Sequence, residues 1–182
     1  TSFRNCKMKL RRRDCLMILT NLITSVITSP AFQEWKTRYP STFLSSIFLT
    51  YDNNQQREVQ VSYVHPENNT VSTFTVHGTN VILSSERQPL VQQQIRSVKE
   101  LYVDKVTFSS DDALAAAQER DTGVDHFTRF ILLLENNPEP VWRVTAFSDT
   151  FTILHLSLHA ETGDVLEEKI TNVMAFRQGR GQ

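Results

Sequence analysis

The chain has 182 residues, 40% hydrophobic and 21% charged, which fits one large or two small globular domains and excludes a disordered or low-complexity polymer. The formal charge is −1, but residues 1–13 hold six basic side chains and no acid, Arg177 and Arg180 lie near the other end, and all 20 acids fall between Asp14 and Glu168. An acidic body argues against a nucleic-acid footprint, no apolar run reaches the roughly 18 residues of a membrane span, and Cys6 and Cys15 alone cannot build a disulfide framework.

Met8 followed by Lys9-Leu10-Arg11-Arg12-Arg13 reads as a start with a positive n-region, residues 1–7 then being an added leader. The basic stretch itself reads as a solvated tail. Arg12-Arg13-Asp14-Cys15-Leu16 loosely resembles a twin-arginine signal, and Ser29-Pro30-Ala31 a small-x-small cleavage site. Against export, Cys15, Leu16, Leu19, Leu22, Ile23, Val26 and Ile27 recur at helical spacing with Thr20, Asn21, Thr24 and Ser25 between them. That stripe predicts a helix covering a protein surface. The expected location is therefore cytoplasmic, with export as the alternative if residues 8–31 act as a signal.

Ser29 and Pro30 start a helix through Tyr39, with Ser as cap and Pro where no N–H is needed, and Pro40 stops it. Thr42 to Tyr51 reads as a buried strand, Asp52-Asn53-Asn54 as a turn, and Val59, Val61 and Tyr63 as the inner face of a second strand. His65 to Asn69 turns into a third strand, Val71 to Val76. His77 to Asn80 leads to a short fourth, Val81 to Leu83. Pro89 to about Leu101 has a helical pattern, and Val106 to Phe108 is extended. Ser109 caps a strong helix with Asp111 and Asp112 in its first turn, ended by Gly123. Strands follow at Phe127 to Leu134, Val141 to Phe147, Phe151 to Leu158 and Val165 to Ile170. Consecutive strands with short turns predict antiparallel sheets.

The two halves match. Phe48 to Asn54 sits 83 residues before Ile131 to Asn137, and at that offset Val59 meets Trp142, Val61 meets Val144, Ser62 meets Thr145 and Val64 meets Phe147. His65 to Val71 resembles His159 to Val165 at an offset of 94, which implies an 11-residue insertion around Ser148 to Leu158. The helices capped by Ser29 and Ser109 precede the matching strands. A unit of about 80 residues buries a modest core alone, so two units gain by sharing one.

Reactive constellations are scarce. Gly78, Gly123 and Gly163 are isolated and read as turns or caps, and no Cys pair has metal spacing. His155 and His159 are the one close histidine pair. They alternate with Leu154, Leu156 and Leu158, so they sit on a strand about 13 Å apart, too far to share an ion. Asp111-Asp112 belong to a helix start, and Glu167-Glu168 to a wet strand. Trp35 and Trp142 occupy core-like positions. Asn68-Asn69-Thr70 fits a glycosylation sequon in a chain without a secretory cysteine pattern.

Ser110 to Ala117, Leu132 to Glu135, Pro140-Val141-Trp142-Arg143-Val144 and Leu156 to Leu166 together resemble the PepSY domain over about residues 106–170. His159 stands where that family often has Asp in its closing Asp-Ala-x-Thr-Gly-x-Val hairpin. The resemblance implies a helix on an antiparallel sheet, as in cystatin-like arrangements, in a family that inhibits or binds rather than catalyses. It also implies a peptidase-propeptide or envelope context.

The expectation is thus an α+β protein of tandem helix-plus-antiparallel-sheet units with an extra N-terminal amphipathic helix. Residues 1–13 form a tail, 14–104 the first unit, 105–176 the second and 177–182 a tail. The expected function is a non-enzymatic binding or regulatory module for a protein or small molecule, without cofactor, metal or catalytic residues, and with sheet or helix packing as a route to a homodimer. The competing reading is an enzyme with its site in the groove between units. His65, Glu67, His155, His159 and Glu161 are the candidate ligand or interaction residues. A third reading is an exported PepSY-type envelope protein.

Overall fold

Eight strands form one antiparallel sheet in the order β4-β3-β2-β1-β5-β6-β7-β8. A computed structural model describes residues 17–90, 98–121 and 126–174. The strands are β1 Phe43–Asp52, β2 Gln55–His65, β3 Thr70–His77, β4 Asn80–Pro89, β5 Phe127–Asn136, β6 Pro140–Ser148, β7 Thr152–His159 and β8 Val165–Asn172. Strands β1 to β4 are consecutive neighbours, as are β5 to β8. The two runs meet where β1 pairs with β5, from Ser46 opposite Glu135 to Asp52 opposite Arg129. On one face of that junction Ile47 opposes Leu134, Leu49 opposes Leu132 and Tyr51 opposes Phe130, and all six are buried. Asn53 and Asn54 both have positive φ, as a two-residue hairpin turn requires, and Asn tolerates that conformation.

Three described helices lie on the face of those six residues: α1 (17–28), α2 Pro30–Arg38 and α3 Ser110–Gln118. Ser29 separates the first two. Its hydroxyl donates to Val26 O at 2.7 Å and accepts the Phe32 N–H at 3.2 Å, closing one helix and opening the next. Ser109 and Asp112 form a capping box at the start of α3, with the Asp112 N–H donating to Ser109 Oγ at 3.0 Å. Under α2 the core is aromatic, with Phe32 and Trp35 packed on Tyr63 and Phe74. Under α3 the bulk is on the sheet. Ala113 and Ala117 leave room for Trp142, whose Nε1–H donates to Phe108 O at 2.8 Å. Helix α1 links the two: Leu19 is buried in the α3 cluster, Val26 in the α2 cluster, and Leu22 packs on both. No described helix is long and apolar enough to cross a membrane.

The structure departs from the sequence reading in several places. Strand β4 runs to Pro89 rather than Leu83, and β2 starts at Gln55 rather than Val59. Their polar ends lack alternation, but ladder hydrogen bonds need no side-chain pattern where the strand is wet. The helix expected from Pro89 to Leu101 begins on the last residue of β4 and has no regular structure at Leu90 or at 98–101, and its residues 91–97 lie outside the described residues. So do the basic tails, Cys6, Cys15 and Gly123. A 3₁₀ turn, Val103–Lys105, precedes Val106, which is extended, and Phe108 lies in a bend. The turn at His65 joins β2 to β3, whereas that at His159 joins β7 to β8, so the 94-residue match aligns unlike turns. Strand β7 occupies the span from Ser148 to Leu158, and among the described residues each side of the junction has four strands.

The β7–β8 turn is pinned from below. The N–H groups of Thr107 and Phe108 donate to Ala160 O at 3.0 and 2.8 Å, and the Thr107 hydroxyl donates to Glu161 O. Gly163 has φ +80°, and a Cβ there would lie 2.5 Å from the Phe108 ring. Gly163→Ala is expected to destabilise the protein by roughly 1–3 kcal/mol, read as a lower urea midpoint, because it adds a left-handed non-glycine residue to a steric clash. An unchanged midpoint would contradict this packing.

Candidate functional site

His65 ends β2 on the helix-bearing side and is only 4% exposed. Its Nε2 lies 2.8 Å from Ser72 Oγ, which already accepts the Arg87 N–H at 3.1 Å and can therefore give its own proton to the ring. The Tyr39 and Trp35 rings stand nearly perpendicular to it at centroid distances of 4.7 and 5.5 Å. Burial first, then the charges of Arg87 and Lys36, hold its pKa below the ordinary 6.5, with Glu86 acting in opposition. Glu67 lines a pocket of about 120 Å³ with His65, Arg38, Tyr39 and Thr42. The structure thus brings His65 and Glu67 to one small pocket.

The other three candidates lie elsewhere. His155 is exposed on the opposite face of β7, with Nδ1 3.4 Å from Thr145 Oγ1, and stands across from Lys169. His159 is a turn cap. Its Nδ1 accepts the N–H groups of Glu161 and Thr162, both at 3.3 Å, which puts the ring proton on Nε2 facing Glu139 Oε2 at 2.8 Å. An imidazole nitrogen does there what an Asp carboxylate does in an Asx turn. Glu161 is exposed in that turn. Four inter-strand steps separate β2 from β7, about 19 Å, so His65 and His159 cannot act on one small substrate. Among the described residues, no group of three His, Cys, Asp or Glu is arranged to hold a metal ion.

A larger feature lies on the sheet face that carries none of the described helices. Ser46, Ser62, Thr73 and Ser85 stand directly opposite one another across β1, β2, β3 and β4, a row of hydroxyls at one level of the sheet. Ser62 Oγ and Thr73 Oγ1 are 3.1 Å apart, and Ser45, at an irregularity in β1, donates to Ser62 O at 3.0 Å. Small side chains side by side leave a trough. Its volume is about 300 Å³, within the range of small-molecule sites. Val64, Val71, Leu90, Val98 and Leu133 give it apolar walls, with Lys99 and Glu135 at the rim. Glu135 is held by Arg143 at 2.6 Å. Asn136 also lines the trough. Its Nδ2 donates to Glu100 O at 2.8 Å, and its buried Oδ1 has no donor among the described residues.

The sequence reading missed this trough. Alternation marks Ser62 and Thr73 as outward residues of wet strands, but only strand register aligns them with Ser46. The corresponding signal was a run of small hydroxyl residues at outward positions of adjacent strands.

A crystal structure of a candidate lipoprotein from Clostridium difficile 630 matches this fold with a TM-score of 0.51 at 13% identity, covering 78% of this chain and 90% of that one. At such identity the likeness shows the fold alone. No family model and no curated protein matches the chain.

His65 gives the pocket a pH signature. The unfolded chain protonates this histidine near 6.5 while the folded chain resists to lower pH, so the unfolded state binds more protons in that window. The stabilisation is complete above the unfolded value and is lost as the pH falls through it. His65→Gln is expected to lose less stability than wild type between about pH 7.5 and pH 5.5 in urea titrations. Equal losses would contradict a neutral, buried His65.

Proposed function

We propose that this chain is a non-enzymatic binding module whose ligand lies in the trough floored by Ser46, Ser62 and Thr73. The carrying observation is that row of aligned hydroxyls between apolar walls. It suits a small amphipathic molecule: an apolar body along Val64, Val71 and Leu133, hydrogen-bonding groups over the hydroxyls, and an anionic end toward Lys99. Among the described residues nothing around the row pairs a nucleophile with a base, and the candidate histidines stand apart from it, which favours binding over catalysis.

The tandem-unit reading belongs with this proposal. At an offset of 83, buried Ile47, Leu49, Tyr51, Val61 and Tyr63 correspond to buried Phe130, Leu132, Leu134, Val144 and Ala146. Helices α2 and α3 each have nine residues and a serine cap. Residues 14–104 and 105–176 are then two copies of a PepSY-like unit meeting at β1 and β5. The level of the trough in the second copy is taken by Thr145, His155 and Lys169, so the copies differ where the first has its row of small hydroxyl residues.

Location follows as a second reading. The description of the structural neighbour as a candidate lipoprotein supports export to an envelope over a cytoplasmic site. Burial of Leu19 and Val26 supports residues 17–28 staying with the fold in either compartment. Fractionation of the native host with N-terminal sequencing separates the two.

Anilinonaphthalene sulfonate, an apolar body with an anionic end, serves as the probe. It is expected to bind saturably at one site per chain. Ser62→Trp, which fills the trough, is expected to weaken binding at least tenfold, and Lys99→Glu severalfold, while Ser62→Ala changes little. Binding indifferent to Ser62→Trp would refute the trough as the site.

A further inference from the structure

The two edges of the sheet are built differently. Strand β4 has two irregularities in its pairing with β3, Arg87 at φ +53°, and Pro89 at its end, all of which blunt an edge against further pairing. Strand β8 has one irregularity near its start and then pairs regularly with β7 from Glu167 to Asn172. Seven of its eight residues are exposed, and Leu166 and Ile170 are 54% and 51% exposed. Among the described residues no strand pairs with the outer side of β8, which leaves N–H and C=O groups beside apolar side chains, the combination that accepts another strand.

The sequence of β8 says which strand. A two-fold axis perpendicular to the sheet keeps each side chain on its own face, so a self-paired antiparallel β8 must be centred on a residue. Centring on Glu168 sets Glu167 opposite Lys169 of the second copy, twice, and brings Leu166, at the irregularity, toward Ile170 of the second copy. Centring on Lys169 instead puts two lysines together and sets Ile170 against Glu168. The glutamates at the first axis are already compensated, because Arg120 Nε lies 3.2 Å from Glu168 Oε2. We propose that a second copy of this chain docks along β8 with the axis at Glu168, so that one sheet runs through both molecules. Opposite charges across the pairing and matched apolar residues select this occupant over an unrelated strand.

Charge swaps test it. Sedimentation equilibrium of the full chain is expected to give twice the 20.9 kDa mass, shifting to monomer on dilution. Lys169→Glu and Glu167→Lys each set like charges opposite one another and should weaken the dimer at least tenfold. The double exchange, Glu167→Lys with Lys169→Glu, restores opposite pairs and should recover most of the affinity. These side chains are exposed, so unchanged thermal melts at monomeric concentration will show intact folding. A wild-type chain that is monomeric at every concentration would overturn the proposal. So would a dimer indifferent to both single reversals, or a double exchange no better than the single ones. Association of β8 with a different protein alone, without self-association, also counts against it.

Discussion

The fold depends on the pairing of β1 with β5. Antiparallel meanders of four strands are small, and each ends in an edge whose backbone groups would otherwise face water or invite aggregation. Joining the first strand of each run removes two edges at once. It also sets three apolar pairs, Ile47 with Leu134, Leu49 with Leu132 and Tyr51 with Phe130, under the helices. Fully burying side chains of that size contributes about 1.5–3 kcal/mol each before entropy is counted, so the junction is a major part of the core. Helix α1 reinforces it by placing Leu19 in one cluster and Val26 in the other.

The trough is a consequence of the same register. Because β1 is fixed between β2 and β5, Ser46 comes level with Ser62 on one side and Glu135 on the other. A slip of one residue would turn Ser46 toward the core and present Ile47 to solvent, which burial of Ile47 forbids. The helix-side packing therefore positions hydroxyls on the opposite face. The residues that line the trough and the residues that hold the fold are neighbours in the chain but face opposite ways.

Local chemistry was legible wherever it has a local cause. The Ser29 and Ser109 caps, the Asn53-Asn54 turn and the inward leucines of β7 were readable because each needs only its own few residues. The polar ends of β2 and β4 were not, because their partners across the sheet hold them. His65 and His159 looked alike in sequence, each followed closely by a glutamate. One is buried among aromatic rings and the other caps a turn, a difference set by residues far away in the chain such as Trp35 and Glu139. The trough was hidden for the same reason: no single strand contains it.

Native-state hydrogen exchange measures the central claim directly. If the junction is the shared core, amides of β1 and β5 bonded across it will exchange only through global unfolding, as slowly as those of β6 and β7, and both halves will unfold in one transition. Junction amides that exchange faster than those within either four-stranded run, with the halves parting before either melts, would contradict it.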